Sequence, residues 1–247
     1  MKTKKVNEVR KQIEYEYARN AYPDGFPKIP DISGKRYTDK DFFDLEFEKI
    51  FLKSWLMVFR ENEIPNPGDF KIFDKLQGDI LIVRQNDYSI KAFYNTCSHR
   101  GAPVVREKKG STKLLKCQYH SWAYELDGSL LRVPDERDFL ELDLSCRGLK
   151  NVHCDTWDGW IYVSLSKEDP GSLIDFLDPV ASEMKCFNSS ELITIWQNST
   201  IVKANWKTCL DAFMEVYHSP TIHKETVNIL LDGNGMAAGL LKNGHSR

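Results

Sequence analysis

Apolar and polar positions along this chain follow one spacing after another. Residues 1–20 are mostly charged, with apolar side chains only at scattered positions (Val6, Val9, Ile13, Tyr17), and predict a surface helix. Tyr22 to Lys35 carries three prolines and two glycines and predicts an extended linker. Thr38 is then an N-cap candidate for a helix that Phe43, Phe47, Ile50 and Phe51 continue at helical spacing, ending near Trp55.

From Met57 to about Ser166 the pattern changes to short apolar runs broken by Gly, Asn and Asp. Residues 69–73, 79–84, 90–94, 114–116, 122–126 and 160–165 predict strands of an all-β unit. Beyond Pro170 the spacing changes again: a helix over 173–187, strands at 193–197 and 199–203, and a strong helix from Asn205 to His218. The expected organisation is α+β, with N-terminal helices and a linker over 1–55, the all-β domain over 56–166 and an α+β segment over 167–247.

Two clusters inside the all-β unit bring in chemistry. Cys97-Ser-His99 and Cys117-Gln-Tyr-His120 lie seventeen residues apart, and each offers one thiolate and one imidazole. A [2Fe–2S] centre with two Cys on one iron and two His on the other needs that set. A structural zinc ion would also accept two Cys and two His, but zinc sites usually pair like ligands within a loop. The mixed loops favour the iron–sulfur reading and place both ligand loops at one tip of the β unit.

The last helix carries a second constellation. Asp211, Glu215 and His218 fall at i, i+4 and i+7 and share one stripe. Trp206, Leu210, Phe213 and Tyr217 form a neighbouring apolar stripe, expected to be the packing face. Pro220 is expected to stop the helix after His218, so that His223 returns toward the same point from a turn. Two imidazoles on a rigid element suit two of the three positions of a 2-His-1-carboxylate non-haem Fe(II) site.

The flanking residues connect the two constellations. The runs Asn95–Pro103 and Cys117–Gly128, the latter reading Cys-Gln-Tyr-His-Ser-Trp-Ala-Tyr-Glu-Leu-Asp-Gly, resemble the cluster loops of Rieske non-haem iron oxygenases of the aromatic ring-hydroxylating type. In that family the second loop more often reads His-Gly-Trp, where this chain has His120-Ser121-Trp122. Ala102 and Tyr119 stand where respiratory Rieske proteins carry an extra disulfide. The run from Asn205-Trp-Lys207 through Glu215-Val-Tyr-His218 to His223 resembles the catalytic-domain signature of the same family. It lies about a hundred residues beyond the cluster loops, as it does there. Many members have Asn where this chain has Ala212.

By that resemblance Cys97, His99, Cys117 and His120 are the [2Fe–2S] ligands, and His218 and His223 hold a mononuclear Fe(2+). Glu215 is the catalytic carboxylate bridging to a Rieske histidine of a neighbouring subunit. The fold implied is a Rieske domain followed by the start of a helix-grip-like catalytic domain. The activity implied is that of a terminal mono- or dioxygenase α subunit. It takes electrons from a ferredoxin or an NAD(P)H-dependent reductase and hydroxylates an organic, aromatic substrate with O₂. A homotrimer, or an α3β3 assembly, follows from the same resemblance. The third iron ligand is expected from a later helix, because Glu225 is too near His223 and Asp232 reads as a turn residue. On that ground the chain reads as an N-terminal portion of a longer subunit. The alternative is a Rieske ferredoxin-like electron carrier, but such carriers lack the Asn205–His223 segment.

Composition adds limits. Hydrophobic content of 41% and charged content of 28% are ordinary for a globular protein. A net charge of −2 gives no reason to expect nucleic acid or an anionic membrane surface. No apolar h-region follows the basic first residues, and no run is long enough to span a bilayer. Cys146, Cys154, Cys186 and Cys209 show no disulfide framework and are expected to be reduced core residues of a cytoplasmic protein.

Overall fold

The computed structural model describes residues 3–23, 25–76, 78–226, 237 and 239–246. It contains two compact units, one of residues 49–176 with 188–197, the other of residues up to 48 with 177–187 and from 198 on. Among the described residues no helix is long and apolar enough to cross a membrane.

The larger unit is all-β. Its strands are β1 (Leu56–Arg60), β2 (Asp69–Phe73), β3 (Ile80–Arg84), β4 (Ile90–Tyr94), β5 (Lys109–Ser111), β6 (Leu115–Lys116), β7 (Ala123–Tyr124), β8 (Leu130–Arg132), β9 (Asn151–Trp157) and β10 (Trp160–Ser164). Seven form an antiparallel sheet in the order β1-β10-β9-β4-β3-β2-β5, and β6-β7-β8 form a smaller one.

Strand β3 explains why the sequence there is continuously apolar. Ile80, Leu81, Ile82 and Val83 are all fully buried. Leu81 and Val83 enter one core with Phe93, Val104, Leu115 and Trp122, while Ile80 and Ile82 enter another with Phe59, Ile64, Ile161 and Val163. A strand covered on both faces loses the alternation that a half-solvated strand shows. The first of these cores holds Cys97 and Cys117. The hairpin between β9 and β10 closes through Asp158-Gly159, both at positive φ, as a two-residue turn of that composition requires. At Gly128 (φ +88°) a Cβ would approach the Phe93 ring to 2.5 Å, so the core leaves no room for a larger residue there.

The smaller unit is helical. Helix α1 (Thr3–Ala18) buries none of its residues. Helices α2 (Lys35–Thr38) and α3 (Lys40–Glu46) follow the linker. The N-cap of α3 is Asp39, accepting from Phe42 N at 3.1 Å, whereas Thr38 ends α2. An acidic cap serves the N-terminal amides better than threonine. The chain then makes a π-turn over Phe47–Phe51, short of Trp55.

Several expectations past residue 170 are corrected. The single helix over 173–187 is two, α4 (Leu173–Leu177) and α5 (Val180–Met184), separated at Pro179, which lacks the N–H to continue the first. Residues 193–197 and 199–203 form no strand; Ile195 and Ile201 are at least 90% exposed, because alternation makes a strand only where a sheet edge accepts it. The long helix ends early: α6 spans Trp206–Met214, and a separate one-turn helix, α7, spans Ser219–Ile222. Pro220 opens α7 rather than stopping α6, a first-turn position where its missing N–H is not needed. The apolar stripe of α6 is not a buried face, since Phe213 and Tyr217 are about 90% exposed. The four other cysteines are free; Cys146 and Cys186 are exposed rather than core residues, Cys209 is half-buried, and the half-buried Cys154 packs against the second core.

Candidate metal centres

The two Cys/His turns are built alike. Cys97 N donates to Ala102 O at 2.8 Å, and Gly101 N returns to Cys97 O at 2.9 Å. Cys117 N donates to Trp122 O at 2.9 Å, and Ser121 N returns to Cys117 O at 2.9 Å. In both turns the Cys accepts from the fourth residue on and donates to the fifth. The fourth residue has positive φ in each, Gly101 at +77° and Ser121 at +60°. Ser121 therefore holds a left-handed conformation that glycine adopts without strain.

The thiols and imidazoles occupy two levels. Cys97 and Cys117 are buried, while His99 and His120 are half-buried with ring centroids 4.7 Å apart. Trp122 stacks on His99 at 4.7 Å with an interplanar angle of 10°. Burial pushes the Cys97 thiol above its ordinary value, with the Cys117 thiol adding and a hydrogen bond from Tyr124 opposing. Burial, with His120 nearby, holds the His99 imidazole below its ordinary value. His99 Nδ1 is buried without a hydrogen-bond partner. Buried imidazole nitrogens are normally satisfied, so an unpartnered His99 nitrogen beside a second imidazole fits a metal ligand. Among the described residues no three His, Cys, Asp or Glu are close enough together to hold a single ion.

Polar contacts hold this tip in place. Tyr124 Oη lies 3.1 Å from Cys97 Sγ and accepts from Ser98 N at 3.0 Å. Ser98 Oγ donates to Gly148 O at 2.7 Å. Asn95 Oδ1 accepts from Val104 N and Val105 N, and its Nδ2 donates to Val105 O, closing the loop that follows the first turn.

The second constellation is anchored by the Asn205-Trp-Lys207 run together with Tyr37 and Glu46, which the sequence did not single out. Asn205 caps α6, accepting from Lys207 N at 3.0 Å, and its Nδ2 donates to Tyr37 O at 3.2 Å. The buried Glu46 carboxylate accepts from Trp206 Nε1 at 3.1 Å and from Lys207 Nζ at 2.7 Å. The same ammonium lies 5.4–5.5 Å from the ring centroids of Tyr37, Phe42 and Trp206. Asn-Trp-Lys thus pins α6 to α2 and α3. Glu46 shares the stretch Phe42–Phe47 with a second carboxylate, Asp44, so the sequence alone does not mark it. Asp211 is engaged by Tyr37 Oη at 2.8 Å, on α6, and does not share a helical stripe with Glu215 and His218.

The short helix α7 carries the imidazole pair at its two ends, His218 as N-cap and His223 as C-cap, with ring centroids 5.2 Å apart. Glu215 is extended (φ −138°, ψ 160°) and its carboxylate turns onto His218, pairing with Nδ1 and accepting from the backbone N at 3.1 Å. The hydrogen bond from His218 holds the Glu215 carboxyl below its ordinary range. A carboxylate on one ring nitrogen leaves the other free for a metal, the usual second layer of a histidine–metal site. Glu225 is exposed in the turn after His223, and Asp232 lies outside the described residues.

Comparison with known proteins agrees with this geometry. The Rieske [2Fe-2S] domain family matches residues 54–153, and the ring hydroxylating alpha subunit (catalytic domain) family matches 174–245. The glycine betaine monooxygenase oxygenase subunit of Pseudomonas aeruginosa is 33% identical over 196 residues, 79% of this chain and 45% of that protein. The large oxygenase component of a naphthalene 1,2-dioxygenase system from Pseudomonas aeruginosa is 34% identical over 76% of this chain and 43% of its own length. Among solved structures, the quaternary ammonium Rieske monooxygenase CntA superposes with a TM-score of 0.73 at 27% identity, covering 77% of this chain and 53% of that one. The chain spans slightly under half the length of these curated relatives. With both family domains matched on one chain, it belongs to the Rieske oxygenase large-subunit family, whose members carry a [2Fe–2S] cluster and a mononuclear iron.

Proposed function

We propose that this chain serves a terminal oxygenase, in which a Rieske centre receives electrons and a non-haem Fe(II) uses them to hydroxylate a small organic molecule with O₂. The observation that carries the reading is the pairing of two buried thiols with an unsatisfied His99 Nδ1, in a chain that also brings His218 and His223 together. Cys97 and Cys117 are assigned to one cluster iron, His99 and His120 to the other, and His218 and His223 to the mononuclear iron. When bound, the cluster supplies one-electron transfer and the Fe(II) supplies O₂ activation.

The chain's own residues divide the remaining work. The buried core around Cys97 and Cys117 keeps water from the thiolates, and Trp122 fixes the His99 ring plane. Glu215 sets the His218 tautomer by taking its Nδ1 side, and we assign it the bridging role between the two centres as well. The domain limits 1–55, 56–166 and 167–247, a trimeric assembly, a cytoplasmic location and a ferredoxin or reductase as electron source belong to the same proposal. Relatives named for naphthalene and for 2,4-dinitrotoluene support an aromatic substrate, and relatives named for glycine betaine support a quaternary amine. The match to a catalytic-domain family over residues 174–245 favours an oxygenase over a bare electron carrier.

The test is spectroscopic and analytical. Reduced protein is expected to give an anisotropic electron paramagnetic resonance signal with a low average g value. His99→Ala and His120→Ala should abolish it, while His218→Ala should keep it and lose only iron outside the cluster. Stoichiometric zinc with no such signal would overturn the reading.

A further inference from the structure

Two exposed segments of opposite charge flank the ligand turns along the chain. The connection between the ligand turns, residues 100–116, carries six cations (Arg100, Arg106, Lys108, Lys109, Lys113, Lys116) and one anion, a net +5 in a chain whose total is −2. All six are exposed, and among the described residues only Lys108 has an ion-pair partner, Asp74. Residues 135–143 carry five anions and Arg137, a net −4, again all exposed. This second segment is held at the ligand turns by Phe139, whose ring lies 6.3 Å from His99 and 6.1 Å from Trp122. Two large apolar side chains, Tyr119 in the second ligand turn and Leu140 in the acidic segment, are 58% and 92% exposed.

Like charges gathered on one strand and its flanks repel, and apart from Lys108 with Asp74 no carboxylate among the described residues pairs with them. A field of one sign beside a redox edge raises the encounter rate of a partner of opposite sign, and a like-charged border excludes wrong orientations. We infer that the 100–116 segment is the docking surface for a small electron-transfer protein with an acidic face, and that the 135–143 loop restricts its approach to that side. This rests on the functional reading above and adds to it the charge of the partner and the side on which it binds.

The experiment follows bleaching of the oxidised cluster of the holoprotein in stopped flow. The donors are a reduced, acidic plant-type [2Fe–2S] ferredoxin and, separately, dithionite. Lys109→Glu with Lys113→Glu is expected to slow ferredoxin-driven reduction about tenfold at low salt, and Glu136→Lys with Asp138→Lys to speed it severalfold. Both pairs should leave the dithionite rate unchanged. Raising salt from about 20 to 300 mM should remove most of these differences, as the screening length shortens to below the width of the patch. A control pair with the same charge change elsewhere on the unit, Lys91→Glu with Lys167→Glu, should have little effect. If the control slows ferredoxin as much as the test pair, only net charge matters and the inference fails. Unchanged rates in Lys109→Glu/Lys113→Glu, with normal dithionite bleaching, overturn the inference alone. A chain with no bleachable chromophore overturns the functional reading and this inference with it.

Discussion

The hydroxyl of Tyr124 lies 3.1 Å from Cys97 Sγ, inside a fully buried side-chain environment, and also accepts from Ser98 N. Burial and the neighbouring Cys97 thiol push the phenol well above its ordinary pKa, so it stays a donor. A hydrogen bond to a cluster thiolate stabilises the more negative, reduced state more than the oxidised one. Tyr124→Phe should therefore retain the cluster and lower its reduction potential. A bond contributing about 1.4 kcal/mol more to the reduced form corresponds to roughly 60 mV for a one-electron couple. A redox titration followed by electron paramagnetic resonance measures this directly, and an unchanged potential would mean the phenol does not donate to the sulfur.

Ser121 offers a separate test of the ligand turns. It holds φ +60° at the position equivalent to Gly101. A left-handed conformation costs a non-glycine residue roughly 1–2 kcal/mol, partly offset by glycine's greater freedom in the unfolded chain. Ser121→Gly is expected to raise stability by about 0.5–1 kcal/mol, and Gly101→Ala to lower it by about 1–2 kcal/mol. Urea midpoints of the two variants should move in opposite directions. A fall in stability for Ser121→Gly would show that the serine side chain contributes something the turn geometry does not reveal.

The chemistry of the ligand turns was legible because it is local. Four candidate ligands of two types within two short turns, each closed by its own backbone hydrogen bonds, need no tertiary information. Strands β2 and β4 were legible for the same reason, each a compact apolar run between turn residues. Strand β5 (Lys-Gly-Ser) has no apolar signal and exists only because β2 accepts it, and in β9 only Val152 is buried. Residues Glu46 and Lys207 lie 161 positions apart, so no window of sequence joins them. The helix through Glu215 and His218 was misread because spacing alone fits a continuous helix, whereas the backbone leaves it at Glu215.

The Glu46–Lys207 pair should be central to the helical unit. Their side chains are only 8% and 16% exposed, and the ammonium is enclosed by three aromatic rings. Removing one partner of such a pair leaves the other charge without compensation, at a cost of about 3 kcal/mol or more. Lys207→Met or Glu46→Gln alone should accelerate hydrogen exchange of the α6 amides strongly. The double variant, with no stranded charge, should lie closer to the wild type than either single one. Additive losses in the double variant would show that the two residues act independently.

The last expectation concerns alkaline pH. Cys154, on β9 opposite Val163, packs against the second core. Burial first, then the nearby Asp155 and Glu61 carboxylates, pushes its thiol from 9.0 up to about 12. The native state therefore keeps this proton more tightly than the unfolded chain does. Its contribution to stability is fully present below pH 9 and is lost as the pH rises through about 12. Within that window the loss approaches at most about 1.4 kcal/mol per pH unit for one proton. Cys154→Ala should flatten this part of the alkaline limb while leaving the acid limb as it was. Urea unfolding of both proteins at pH 8 and pH 10.5 provides the measurement, and the difference between them cancels lysine and tyrosine titration common to both. Parallel alkaline limbs would mean that the native thiol ionises as freely as the unfolded one, and that this strand opens to water more readily than its packing implies.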